Sequence, residues 1–284
     1  MKIKKLFATI CAIGLLMTGC GGEENSKPDE NLQANITKLG MIAHLNASEK
    51  QMEEYFFKVQ EKARAKVVNH IPKFYDNLSL MQMGIEAGNV DQISVYNCVG
   101  NYLMANNDKF EVAKVDWING LEDNFCFAVR KEDNALKADL DKIIDEMKND
   151  GSLDKLVKEN IIDLNKGQIP SAVEIPMIDG AETIKIGVTG DLPPLDYISV
   201  DGKAAGFNTA LLAEVAKRLN KNVEIVNIDS GARAAALSAE QIDVIFWAIV
   251  PADDSRPADI DKPEGIELSK PYFKDEITHL ELKK

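Results

Sequence analysis

Three histidines and four cysteines in 284 residues are too few and too scattered for a zinc site built from paired ligands. Aromatic residues make up only 6% of the chain, and 33 Lys and Arg are outnumbered by 46 Asp and Glu. The resulting net charge of −13 excludes a general nucleic-acid binder, because neutralising phosphates needs a basic surface. No apolar run reaches the roughly 18 residues of a transmembrane helix, so no membrane bundle is expected. Gly187, Gly190 and the later glycines form no dinucleotide fingerprint, and no metal-ligand spacing or phosphate loop is visible. No cofactor is therefore expected. What is present, 45% hydrophobic and 28% charged residues, is the make-up of a globular protein with length for one large or two moderate domains.

The N-terminus has the layout of an export signal. Lys2, Lys4 and Lys5 precede an apolar core at 6–17 that is too short to span a bilayer. Met17-Thr18-Gly19-Cys20 resembles the lipobox of bacterial lipoproteins, in which the cysteine is acylated and becomes the new N-terminus. An ordinary signal peptide with a chance cysteine is the alternative. The expected division is a signal at 1–19 and an acylated Cys20 opening a flexible tether at 20–38, polar and bearing Gly21, Gly22 and Pro28. Loss of the three signal lysines leaves a still more acidic body, which anionic head groups repel. The expected location is extracytoplasmic, on a lipid anchor. Cys98 and Cys126 then remain, as a disulfide or as two buried thiols.

From residue 39 onward short apolar strands alternate with amphipathic helices. Strands are expected at 39–45, 67–71, 90–95, 110–115 and 125–129, with helices near 76–87 and 99–105 and one striped by Met52, Phe56, Val59 and Ala63. Asn46 or Ser48 can cap that helix. Leu136, Leu140, Ile143, Ile144 and Met147 stripe a further helix that stops at Asp150-Gly151, before a short one reaching Asn160. A polar connector at 163–182 carries Gly167, Pro170, Pro176 and Gly180. The pattern then restarts with strands at 184–188, 223–228 and 242–249, and helices on Phe207, Leu211, Val215 and Leu219 and at 231–239. The direct reading is a parallel α/β fold in two lobes.

Ile184-Lys185-Ile186-Gly187-Val188, Leu192-Pro193-Pro194-Leu195 and Asp201-Gly202-Lys203 through Gly206-Phe207-Asn208 resemble the opening of the extracellular solute-binding proteins of amino-acid ABC transporters. The likeness continues through Gln241-Ile242-Asp243-Val244-Ile245, Arg256 and Leu268-Ser269-Lys270-Pro271-Tyr272-Phe273. The family's second lobe is similar to upstream segments: Leu39 to Ile42, Gly88 to Asp91, Phe127 to Lys131, and Leu140 to Leu156. The resemblance implies a two-lobed periplasmic-binding-protein-like (type II) α/β fold in circularly permuted order, the family's usual ends joined through the connector. One lobe would comprise 39–124 plus 277–284, and the other 125–276. Residues 278–283 and 125–131 would run side by side as hinge strands. Two half-units pairing with another chain are the alternative.

In α/β sheets ligands sit beyond the carboxyl ends of the strands. Candidate ligand residues there are Asp191 and Tyr197 after the first strand of the second half, and Ser230 and Arg233 after the next. An arginine beside free helix N–H groups suits an anion; a solvated surface arginine is the other reading of Arg233. Trp247 is either a stacking platform or core. From the other half come Asn46, Ser48, Tyr96 and Asn97. The resemblance matches Arg256 to the arginine that clamps a bound amino acid's α-carboxylate. It also shows departures. The family's hydroxyl falls on Val250, its covering aromatic near Leu192, and the acid for the ligand's α-ammonium on Tyr96. An α-ammonium would be costly to bury among neutral groups, so a standard free amino acid is disfavoured against a carboxylate-bearing or aromatic small molecule. The implied function is a monomeric, lipid-anchored binding protein that closes on a small-molecule ligand and delivers it to an ABC permease, not an enzyme. Alternatives are a ligand sensor or orphan module, and a cyclohexadienyl dehydratase-like enzyme with Asp191, Asp196 or Asp229 as general acid.

Overall fold

The computed structural model describes residues 36–63, 69–114, 120–164, 168, 171–199, 201–253 and 261–284. The export signal, Cys20 and nearly all of the tether lie outside them, as does Arg256. Among the described residues no helix is long and apolar enough to cross a membrane.

The first lobe runs β1 (Ile36–Ile42), α1 (Glu49–Ala63), β2 (Asn69–Tyr75), α2 (Leu78–Glu86), β3 (Gln92–Tyr96), α3 (Asn97–Asn106) and β4 (Phe110–Val112). Strand β1 lies between β2 and β3 and is parallel to both. The strand expected to reach residue 45 stops at Ile42. The following helix opens on a capping box: Ser48 Oγ accepts the Gln51 N–H while Gln51 Oε1 accepts the Ser48 N–H. Asn77 caps α2 in the same way, accepting the Leu80 N–H at 2.9 Å. Gly40 in β1 brings the strand against Met81, Val90 and Ile93; a Cβ there would stand 3.2–3.3 Å from those side chains.

The chain crosses on β5 (Glu122–Arg130) into the second lobe, with α4 (Asn134–Asn149) and α5 (Ser152–Val157), followed by a π-helical turn, Lys158–Ile162. After the connector come β6 (Thr183–Val188), the short strands β7 (Asp191–Leu192), β8 (Asp196–Ile198) and β9 (Ala204–Ala205), and α6 (Phe207–Leu219). Then follow β10 (Asn222–Asn227), a 3-10 turn at Ser230–Ala232, α7 (Arg233–Ser238), β11 (Val244–Pro251), β12 (Ile266–Leu268) and β13 (Phe273–Leu282). Strand β6 lies between β10 and β11, parallel to both, which repeats the order of the first lobe. Leu140, Ile143, Ile144 and Met147 of α4 are all buried, and α4 packs on β5 and α6. Four apolar side chains on one stripe hold this helix in the core, at about 1.5–3 kcal/mol of transfer free energy each. The connector docks through Asn222, whose amide bonds the Ile178 backbone on both sides and the Ala181 carbonyl.

The lobes share one ten-stranded sheet ordered β10-β6-β11-β5-β13-β3-β1-β2. The two central strands cross between the lobes, in a register that differs from the expected pairing of 125–131 with 278–283. Glu122–Phe125 pair antiparallel with Phe273–Glu276. Beyond Phe125 the same edge of β5 is taken by β12, which pairs with Ala128–Arg130, while Ser269 Oγ accepts the Phe127 N–H. Residues 277–282 of β13 have moved on to β3 and β4. With both edges of β5 occupied, only its first residues are left for the hinge pairing. Cys98 and Cys126 are both buried free thiols, and burial pushes the Cys126 thiol up to about 12.

Candidate functional site

The carboxyl ends of the parallel strands in the two lobes face each other, and their loops are bonded directly. Ser230, after β10, donates its N–H to the Asp76 carbonyl at 3.0 Å and its hydroxyl to the Ala43 carbonyl at 2.8 Å. Asp191, after β6, accepts the Ser79 N–H in the first turn of α2 at 3.0 Å. Asp261, after β11, accepts the Asn46 and Ala47 N–H groups at 2.7 and 3.2 Å, and its second oxygen stands 3.3 Å from His44 Nδ1. Burial raises the Asp261 carboxyl, but the His44 imidazole and the two N–H groups outweigh it and leave the group below its ordinary value. Carboxylates of the second lobe thus hold N–H groups before α1 and at the start of α2, positions with positive potential.

Behind this seam lies a cavity of about 110 Å³ with walls from both lobes. Met41, Met52, Phe56 and Ile277 supply one apolar side and Leu192, Trp247 and Ile249 the other. Among the described residues the polar groups on its wall are few: Ser94, the Tyr55 and Tyr96 hydroxyls, the Trp247 indole, Asp123, Arg233, His44 and Asp261. A volume of this size compares with the roughly 150 Å³ apolar cavity known to admit benzene, so one small ring sets the scale.

Three of the residues singled out in the sequence line the cavity: Tyr96, Arg233 and Trp247. Arg233 is only 2% exposed, which overturns the reading of a solvated surface arginine. Its Nε donates to the Ser230 carbonyl, Nη1 to the carbonyls of Phe246 and Trp247, and Nη2 to Ser230 Oγ. Burial lowers its pKa to about 10, so it stays cationic at neutral pH. Trp247 covers the guanidinium, with the carbon at 4.6 Å from the indole centroid. Tyr96 donates its hydroxyl to Asp123 at 2.9 Å and packs edge-on to Phe125. Trp247 sits in a bulge of β11, where the register with β5 shifts between Ile245 and Ala248. Its φ of +41° is a backbone state that bulky side chains rarely adopt. Tyr272 Oη steadies the bulge by accepting the Trp247 N–H at 3.0 Å.

The other candidates are placed differently. Ser230 is buried in the seam, and Asp191 is held at the start of α2; neither lines the cavity. Ser48 spends its side chain on the capping box, and Asn46 is exposed and contributes only its backbone N–H to Asp261. Tyr197 lies in the small sheet opposite Asp191 and Ala205, and Asn97 opens α3 outside the cavity. Asp196 is buried against Thr189, and with Asp191 and Asp229 it stands away from the cavity wall. Burial raises the carboxyls of both Asp191 and Asp196. Sequence reasoning missed His44, Asp123 and Asp261. The available signal for His44 was its place directly after β1, at a strand's carboxyl end.

Solved structures of similar arrangement include a Coxiella burnetii ABC-transporter periplasmic substrate-binding protein, 12% identical, covering 87% of this chain and 84% of that one at a TM-score of 0.41. A putative L-cystine ABC transporter from Listeria monocytogenes is 9% identical, covering 88% and 84% at a TM-score of 0.40. A probable histidine-binding protein of Campylobacter jejuni is 28% identical over 101 residues. The match covers 36% of this chain and 36% of that relative's length. Residues 184–278, which supply Leu192, Arg233, Trp247 and Ile249 of the cavity and include Tyr272, carry the sequence pattern of the bacterial extracellular solute-binding proteins, family 3.

Proposed function

We propose that this chain is an extracytoplasmic solute-binding protein that captures a small molecule between its two lobes and presents it to an ABC permease. The cavity carries the reading: it lies at the carboxyl ends of both sets of parallel strands, and its second-lobe wall comes from the family 3 segment. Opening and closing would pass through the paired strands β5 and β13, the central link of the shared sheet. The lobes are taken as 39–124 with 277–284, and 125–276, joined as a circular permutation of the family order. The repeated strand order in the two halves and the docked connector support that reading. Acylation at Cys20 would hold the protein, as a monomer, to the membrane it serves.

A thermal-shift screen of residues 21–284 against amino acids, small carboxylates, peptides and neutral aromatic compounds tests the proposal. A true ligand at a hundred times its dissociation constant adds about 2.7 kcal/mol of stability. Absence of any shift in a well-folded sample would overturn it and leave an orphan module that binds a partner instead.

A further inference from the structure

We infer that the cavity takes an uncharged, largely apolar molecule, one small ring in scale, carrying a single hydrogen-bond acceptor for Trp247 Nε1. The inference rests on the solute-binding reading and narrows it. Charge on the described walls disfavours an anion. Among the described residues two carboxylates, Asp123 and Asp261, line the cavity with one guanidinium, that of Arg233. That guanidinium already makes four hydrogen bonds to protein oxygens and lies beneath the Trp247 ring. The N–H groups of Asn46 and Ala47, the natural place for a ligand carboxylate, are occupied by Asp261. The protein therefore supplies its own carboxylate where a charged solute would put one.

A cation fares no better. Asp261 is committed to the two N–H groups and His44, and Asp123 accepts the Tyr96 hydroxyl. A ligand ammonium would share the small cavity with the buried Arg233 charge, and like charges in a desolvated site repel strongly. The remaining wall is hydrocarbon and aromatic, from Met41, Met52, Phe56 and Ile277. Against it stands an unpaired donor. Trp247 is 6% exposed, and its Nε1 is buried without a hydrogen-bond partner among the described residues. A buried indole N–H left unpaired is costly, and the strained bulge that brings the ring to the cavity adds to that cost. A neutral acceptor on the ligand satisfies the donor without bringing a charge.

Isothermal titration of the full mature chain with benzamide, toluene, benzoate and benzylamine separates the possibilities. These probes share one ring and differ in acceptor and charge. Benzamide is expected to bind tightest, toluene about tenfold more weakly, which corresponds to ~1.4 kcal/mol, and the two ions more weakly still. Trp247→Phe keeps the ring and removes the donor, so benzamide should fall to the toluene level while toluene is unchanged. The unliganded melting temperature reports whether the variant folds. Equal loss of benzamide and toluene in that variant would overturn the role of Nε1. Tightest binding of benzoate, or its loss in Arg256→Ala, would overturn the uncharged assignment and leave solute capture standing; so would tightest binding of benzylamine. No binding of any probe overturns the inference, and the broader solute screen then decides whether solute capture falls with it.

Discussion

Asp261 holds the seam between the lobes, and replacing it with alanine should open the molecule without unfolding it. The carboxylate is 6% exposed and accepts two backbone N–H groups, from Asn46 at 2.7 Å and Ala47 at 3.2 Å. Each charge-assisted hydrogen bond of this kind contributes about 1.5–3 kcal/mol. At the low end, the two together favour the closed arrangement by about 3 kcal/mol, and their loss raises the open-to-closed ratio roughly 150-fold. The apolar core is left intact, because Asp261 is no member of the large buried cluster that includes Leu78, Met81, Leu140 and Leu211. Small-angle scattering of the unliganded protein should show a larger radius of gyration for Asp261→Ala, with the circular dichroism of the parent. The carboxyl lies below its ordinary pKa, so its contribution is complete above the unfolded value near 4 and fades as pH falls through the folded one. The parent should therefore open in acid and the variant show no such step. An unchanged radius for the variant, in a folded sample, would refute the latch.

His279 in β13 is fully buried, 5.9 Å ring to ring from His70, and burial together with His70 lowers its pKa to about 3. The unfolded chain binds a proton near pH 6.5 that the native state refuses, so stability falls as pH drops. One such group costs about 2 kcal/mol between pH 6.5 and pH 5, read by urea unfolding. His279→Gln should remove that slope; an equally steep dependence in the variant would show that other groups cause it. Gly84→Ala places a Cβ 2.2 Å from Tyr75 Oη and 2.5 Å from its ring. The Tyr75 ring must swing away, and overpacking of this kind costs about 1–3 kcal/mol, read by the same unfolding curve. A neutral effect would mean that the ring swings aside freely.

The alternation of strands and helices was legible because long elements carry a period. The stripe of α4 and the unbroken apolar run of β11 each announce a buried face. Strands β7, β8 and β9 were not legible, since two or three residues cannot show a period. The strands joining the lobes pair as 122–125 with 273–276 rather than 125–131 with 278–283, a register that depends on β12 filling the rest of that edge of β5. At the site, Tyr96, Arg233 and Trp247 could be read from their places at strand ends. Asp261 could not, because it is one acid among 46 Asp and Glu, and its partners lie 214–215 positions away. The bulge at Trp247 was equally hidden, for its positive φ is set by tertiary packing and no glycine marks it.

The most direct test of the central claim, that solute enters between the lobes at Trp247, is the indole N–H resonance of that residue in ¹H–¹⁵N spectra recorded during ligand titration. The chain has two tryptophans, so Trp247→Phe assigns the signal. The account predicts that a compound stabilising the protein shifts this resonance, saturating at the same concentration as the thermal effect. A compound that stabilises the protein fully and leaves the resonance in place would contradict it.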